Sequence, residues 1–358
     1  MWDTPTAPRG DPNGRHASKP RKEKNNIETK TNSNDMKRIP ATLLWASSLL
    51  LLLPAASCTD TLGGDPDTDA RAITFTPAAE TRAAVENDFP AGSSFSVWGW
   101  YGTDSQITND VFDGVPVTKN GETWTYGGGN RYWIAGMTYN FYGVYPVYPQ
   151  TSSDNGTTAT VDATGKITVT NFDCSKTGEE AVDLMTATNT RTLSNPIEDD
   201  ETSAVAMKFQ HELCKVAVVV KAEQGVSATI NSATLYGIDI QGTLSEGSWT
   251  LVENTNAKFE LANEMTVDST TPEADLFGTL LLIPQNCQGL KLDIAITRNG
   301  KQQETQTISL GTSIAQWAAA QSYRYVLTIK ANAITFGDFT VEEWGLTNTG
   351  GNINIGKQ

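Results

Sequence analysis

The sequence predicts an all-β protein with two β domains in tandem. Three observations carry that prediction. From Ile73 onward apolar residues recur with a period of two almost everywhere. Clusters of Gly, Asn, Asp and Ser interrupt these runs at short intervals, and aromatic residues, Thr, Asn and Gly are abundant while long Ala, Leu, Glu and Lys runs are missing. Short alternating segments with frequent turns suggest a sandwich or a barrel. A chain of 358 residues has room for two domains of roughly 100–200 residues each.

The first 72 positions stand apart from this pattern. Residues 1–35 are polar and rich in Pro, Asn, Lys and Arg, too poor in apolar groups to fold, and they read as a spurious or disordered extension before Met36. Lys37 and Arg38 then precede an apolar stretch ending at Leu53, followed by Ala55, Ala56, Ser57 and Cys58. That order is a secretory signal over residues 36–57. A membrane-spanning helix needs about 20 apolar residues, and Pro40 and Pro54 bound a shorter run. Small-small-Cys resembles the bacterial lipobox, which implies diacylation of Cys58 and a tether to the outer membrane worth about 0.8 kcal/mol per buried methylene. A cytoplasmic arm before a signal anchor, and a cleaved signal with a free cysteine, are the competing readings. Residues 58–72 form an acidic flexible spacer.

The N-terminal domain is expected over residues 73–203. "AITFTP" gives a short first strand. "SFSVWGWYG" sets Phe95, Val97 and Tyr101 against Trp98 and Trp100. "TYNFYGVYP" sets Tyr139, Phe141 and Tyr145 against Tyr142 and Val144, and "GKITVTNF" places Ile167 and Val169 on one face. Turns are expected at Asn120, at Gly127–Asn130 and at Ser152–Gly156. "PIEDDETS", charged and opened by Pro196, reads as the boundary.

The C-terminal domain is expected over residues 204–358. "AVAMKFQHELCKVAVVVKA" places Met207, Phe209, His211 and Leu213 on one face, then changes phase to Val216, Val218 and Val220, a pattern that suggests a β-bulge or kink. Further strands are expected in "TINSATLYGI", "GTLSEGSWTLV", "LFGTLLLIPQ", "LKLDIAITRNG", "ETQTISL", "SYRYVLTIK", "AITFGDF" and "VEEW". Only "TSIAQWAAAQ" has a helical look.

Charge and motifs narrow the chemistry. The net charge is −15, which disfavours nucleic acid and anionic membrane surfaces as partners. Beyond the signal the sole histidine is His211, on an apolar strand face, so neither a Ser-His-Asp pair nor a His-rich zinc site can be built. "GGGNRYW" lacks the Lys-Ser/Thr of a phosphate loop and reads as a hairpin loop. "DPDTDA" opens like a calcium loop but has Ala70 where glycine is needed and Thr76 where glutamate is needed. The run Glu198–Glu201 reads as a solvated linker. Trp98, Trp100, Trp124 and Trp133 read as core before sugar platforms, and Cys174, Cys214 and Cys287 as buried apolar residues. The residues predict no enzyme, no metal and no cofactor.

Several stretches in order carry a resemblance. A lipoprotein-type signal ends at Cys58; "ITF" follows, then "TR" before "F-x-x-G-S-S-F-S-V". Further on stand "WTYGGGNRYWIAGMTYNFYGVYP", "DLMTA" near Asp183, "MKFQHELCKVAVVV", "LLIPQ", "W-x(5)-YRYVLTIKANAITF" and "VEEW". This ordered set resembles the fimbrillin family, the subunits of type V pili and related surface lipoproteins of Bacteroidetes. The resemblance implies two transthyretin-like β-sandwich domains, exported as a lipoprotein to the cell surface. In polymerising members the first strand fills a groove, an Arg-specific surface protease frees it, and a C-terminal strand of the next subunit takes its place, a case of strand addition. By that resemblance Ile73 and Phe75 are the pocket-filling pair of a removable first strand. The cut falls after Arg82; cutting at Arg71 would leave the strand attached. The donor lies beyond Ala333, in the region of Ile334, Phe336, Phe339, Val341 and Trp344. The implied partners are other pilus subunits, the protease, the outer membrane through the lipid, and a host or glycan receptor. The alternative is a surface lipoprotein that binds glycans or host ligands and never polymerises.

Overall fold

A computed structural model of the chain describes residues 71–79, 89–103, 106–152, 154–253, 257–271, 273–301 and 303–344. The expected signal, Cys58, Arg82 and the tail beyond Trp344 lie outside the described residues. The first nine strands are β1 (Phe75–Ala79), β2 (Ser94–Thr103), β3 (Gln106–Asn120), β4 (Thr123–Tyr126), β5 (Thr138–Tyr145), β6 (Thr158–Val161), β7 (Ile167–Asp173), β8 (Met185–Thr192) and β9 (Val205–His211). Next come β10 (Cys214–Ala222), β11 (Ala228–Tyr236), β12 (Gln241–Ser245), β13 (Ser248–Leu251), β14 (Lys258–Glu260) and β15 (Met265–Val267). The chain continues through β16 (Glu273–Asp275), β17 (Leu280–Leu282), β18 (Lys291–Arg298), β19 (Glu304–Ser309), β20 (Gln321–Ile329) and β21 (Ile334–Glu343). Short 3-10 turns at Gly178–Glu180 and Asp199–Thr202 are the helical elements among the described residues.

Seven strands form one sheet in the order β1-β9-β8-β5-β2-β3-β4. Alternation assigns its two faces. Phe95 and Val97 of β2, with Tyr139, Phe141 and Tyr145 of β5, enter an inner core shared with Phe75, Phe112, Met207 and Phe209. Trp98, Trp100 and Val144 point the other way into a second, larger core. The sheet curls around the inner core until its two end strands meet: Phe75 of β1 lies edge to face with Tyr126 of β4 at 6.1 Å. Curling lets one sheet bury aromatic side chains on both of its ends as well as its middle.

The second core is enclosed by three further sheets. They are β16-β10-β20-β21 with β17 beside β10, β14-β11-β18-β19 with β15 beside β11, and β13-β12-β7-β6. The hairpin β6–β7 lies on the outer face of the first sheet. Its turn is held by Asp162, whose Oδ1 accepts from the backbone N–H groups of Thr164 (2.9 Å) and Lys166 (3.1 Å). Gly165 has φ +87°, and a Cβ there would stand 2.2 Å from the Tyr142 hydroxyl, so both conformation and contact require glycine.

The all-β class and the two cores agree with the sequence, but the chain does not divide between them at residue 204. The segment "PIEDDETS" returns β8 to its neighbour β9 inside one sheet. It is an ordered turn: Glu201 accepts from the backbone N–H of Ser194 (2.9 Å) and of Glu198 (3.0 Å). Strands β7 and β12, from either side of residue 204, pair antiparallel, and residues 61–358 cluster as one unit. The phase change after His211 is likewise no bulge. Strand β9 ends there, Glu212 N–H donates to Leu184 O (2.9 Å), and β10 begins in another sheet at Cys214. A bulge sits instead in β11, where the register shifts between Ile230 and Ser232. It moves the buried set from Ala228 and Ile230 to Ala233 and Leu235.

"TSIAQWAAAQ" forms no helix. Trp317 is fully buried, its backbone N–H donates to Gln285 O (2.9 Å) and its indole N–H to the Tyr325 hydroxyl (3.0 Å). Burying that one large side chain against the core outweighs the helical preference of the four alanines in so short a stretch. "AITFGDF" and "VEEW" are one strand, β21, paired with β20 along its whole length.

Trp98 gives a measure of the packing. Its ring is fully buried while its indole nitrogen has no hydrogen-bond partner. Trp98→Ala is expected to cost about 3–5 kcal/mol, whereas Trp98→Phe keeps most of the apolar contact and is expected to cost under about 2 kcal/mol. Urea titrations of the two variants measure the difference; equal losses would contradict a purely apolar role.

Candidate functional site

The first strand is held from both sides. It runs parallel to β9, with Phe75 opposite Val205 and Ala79 opposite Phe209, and as an end strand it has no second full neighbour. Side chains alternate: Ile73, Phe75 and Pro77 are buried, while Thr74 and Thr76 are exposed. Pro77 offers no N–H to a ladder, which an end strand tolerates and a central one does not. Phe75 is 4% exposed and meets four rings edge to face, those of Phe95, Phe112, Tyr126 and Phe141, with centroids 5.3–6.1 Å away. Such pairs add to simple burial by about 0.5–1.5 kcal/mol each at most.

A loop clasps the strand from its other side. The backbone N–H of Ile73 donates to Arg131 O (2.7 Å), and that of Trp133 donates to Arg71 O (3.0 Å). The Tyr126 hydroxyl donates to Ile73 O (2.8 Å) and accepts from the Arg131 backbone N–H (3.3 Å). Burial pushes the Tyr126 phenol above its ordinary value, so it stays protonated and able to donate. The Arg131 guanidinium lies 4.6 Å over the Phe112 ring, and its Nε donates to Val111 O (2.7 Å). The glycine-rich run read as a plain hairpin loop is thus the clasp of the first strand. The Tyr and Arg flanking its glycines were the available signal.

Beyond Ala79 the chain is described again at Phe89, which is buried against Trp124, Tyr145 and Phe209. The described ends that flank the intervening segment, which contains Arg82, are Ala79, paired with Phe209 of β9, and the buried Phe89.

At the other terminus β21 is the end strand of its sheet. Ile334 is buried, Phe336 and Phe339 pack on Tyr325 (6.1 and 4.9 Å), and Val341 is exposed. Trp344 is buried, with its ring stacked on that of His211 at 3.9 Å. Four of these residues lie in β21 and Trp344 directly follows it, so they do not gather at the seat of β1. One signal in the sequence was missed. The tetrapeptide Ala72-Ile73-Thr74-Phe75 recurs as Ala333-Ile334-Thr335-Phe336.

The remaining candidates are structural. His211 Nδ1 and Asp183 Oδ2 are 2.8 Å apart, both buried. Cys174, Cys214 and Cys287 are buried free thiols, and burial pushes that of Cys174 up to about 12. Trp98, Trp100 and Trp133 are buried, and Trp124 is half-buried against Phe89 and Phe95, so the rings that suggested a sugar platform are core. Among the described residues no group of three or more His, Cys, Asp and Glu is placed to hold a metal ion.

The model of the fimbrillin-like family matches residues 81–344, well over half of the sequence. The chain belongs to the fimbrillin-like family. The matched span starts just beyond β1, so the seat falls within the fimbrillin-like region and the strand that fills it does not. Among solved structures, a fimbrial protein from Bacteroides vulgatus is 19% identical, with 76% of this chain and 99% of that one covered and a TM-score of 0.54. A candidate cell adhesion protein from Bacteroides ovatus is 17% identical over 76% and 96% of the two chains, at a TM-score of 0.52. At such identities the likeness speaks for the fold. No curated protein matches the chain.

The clasp makes a local prediction. Tyr126→Phe deletes the hydroxyl that bonds Ile73 O, a loss of about 1 kcal/mol. Amide hydrogen exchange in residues 71–79 is expected to quicken roughly fivefold, with β2 and β5 unchanged. Uniform quickening across the sheet would show that Tyr126 acts only as core.

Proposed function

We propose that the chain is a structural subunit or accessory component of a surface fimbrium that supports adhesion, tethered through acylated Cys58 and assembled by strand exchange after a cut at Arg82. The observation that carries this reading is the first strand itself. It is an end strand, parallel, with three alternate side chains in the core and a clasp on its free side. A strand held this way can be lifted out without cutting a ladder in two. What remains is a groove floored by aromatic rings with an unpaired β9 edge, the surface that strand addition needs.

Arg82 is the better cut of the two arginines near the strand. Arg71 lies next to the Ala72–Tyr132 bridge, and its carbonyl accepts from Trp133 N–H. A protease must draw its substrate into an extended form, which pairing at Arg71 opposes. Cutting after Arg82 leaves Phe89 as an anchor for the new terminus. The donor is a C-terminal segment of another subunit. The recurrence of Ala-Ile-Thr-Phe supports Ile334 and Phe336 as the pair that replaces Ile73 and Phe75. For them to reach another seat, β21 must leave β20, and as an end strand it unpairs from one neighbour only. A head-to-tail contact of this kind does not close on itself and grows a filament.

Incubation of the purified chain with an Arg-specific protease is expected to give one cut, a new terminus at Ala83, and oligomers that survive SDS. Arg82→Ala is expected to abolish both the cut and the oligomers. Cleavage without any oligomer would reject strand exchange. In cells, Cys58→Ala is expected to release the protein from the membrane fraction, as assayed by detergent partition.

A further inference from the structure

Four large apolar side chains among the described residues are exposed: Tyr132, Ile134, Val252 and Val341. Two of them, Tyr132 at 44% and Ile134 at 42%, stand two residues apart on the clasp beside β1. Their exposure is enforced. Trp133 between them is buried, 4.8 Å from Tyr139, with the Arg191 guanidinium 5.3 Å over its ring, and alternation then turns both neighbours outward. The backbone is fixed as well: Trp133 N–H donates to Arg71 O (3.0 Å) and Ile134 N–H to the Tyr139 hydroxyl (2.9 Å). A pre-set apolar pair loses little conformational freedom when covered.

Chain direction says what would cover it. The N-terminal end of the first strand bridges Tyr132 through Ala72, while its C-terminal end lies by Phe209. A strand donated from the C-terminal part of another chain is joined to its own body at its N-terminal end. When it lies in the seat in the direction of β1, that body emerges beside Tyr132 and Ile134. A donor lying the opposite way would bring its body to the Phe209 end instead.

We propose that Tyr132 and Ile134 form the contact on which the body of a second copy of this chain rests when its C-terminal strand fills the seat. The contact rests on the strand-exchange reading and adds to it the direction of the donor and the face of the subunit junction. Its energy comes from covering two apolar side chains, and it sits at the rim of the seat, where it adds to the strand's own pairing without entering the groove.

The test uses the full chain treated with an Arg-specific protease. The double variant Tyr132→Glu, Ile134→Glu is expected to form SDS-resistant oligomers at least tenfold more slowly, with an unchanged unfolding midpoint. Oligomers at the parent rate would overturn the contact and leave strand exchange standing. Absence of oligomers from the parent chain would overturn both. Should the charged variant unfold, Tyr132→Ser with Ile134→Ser is used in its place, with the same direction of effect. A benzophenone side chain at position 134 gives an independent reading. Photolysis of assembled oligomers is expected to join it to residues 303–344 of another copy; cross-links confined to other regions, or to lipid or glycan added to the sample, would overturn the proposal.

Discussion

Without β1 the curled sheet would leave a gap between β9 and β4, and the gap must be filled by something that is apolar on one side and can pair on the other. Phe75 and Ile73 do the filling here, and β9 does the pairing. The rest of the inner core is arranged around that insertion. Phe95, Phe112, Tyr126 and Phe141 all turn their faces or edges toward one ring. Four strands thus depend on a side chain from a fifth that is joined to the sheet at one edge only. Dense packing makes such a site all or nothing, because a partly withdrawn ring loses its contacts steeply with distance.

The larger core has the opposite character. It draws on four sheets and on the outward tryptophans of β2, so no single strand decides it. The two cores share strand β2, whose alternate residues supply each of them. That sharing explains why the chain does not separate into two beads on a string. Strand β6, strand β7 and their Asp162 turn lie over the first sheet, and β7 pairs onward with β12. Whatever happens at the first strand therefore happens on a platform braced from behind.

Much of this architecture was legible in the period-two pattern. The faces of β2 and β5 follow directly from the alternation of Phe95, Val97, Trp98 and Trp100, and of Tyr139, Phe141, Tyr142 and Val144. Alternation is a local property, so it survives any arrangement of sheets. What it lacks is pairing over long range. The change of phase after His211 looks identical whether the strand bulges or the chain passes to another sheet. The bulge at Asn231 was hidden because Ala233 and Thr234 give a weak apolar contrast. At the seat, Ile73 and Phe75 could be read as a strand, while the clasp could not. Its key bonds, from the Tyr126 hydroxyl to Ile73 O and from Ile73 N–H to Arg131 O, join residues more than fifty positions apart and end on backbone carbonyls that any residue would supply.

The parallel pairing of β1 with β9 also sets an order of events during folding. The first strand is made first, yet its ladder partner, Val205–Phe209, lies far along the chain and its clasp, Arg131–Trp133, stands between. Contacts between such distant segments form late, because a long loop has to close before they contribute. Strands β2, β3, β4 and β5 meet their antiparallel neighbours over much shorter distances. Strand β1 therefore cannot complete its ladder until Val205–Phe209 have been made, however early it is itself synthesised. Parallel pairing at a sheet edge makes the filling of the seat a long-range event, separate in sequence from the hairpins beside it.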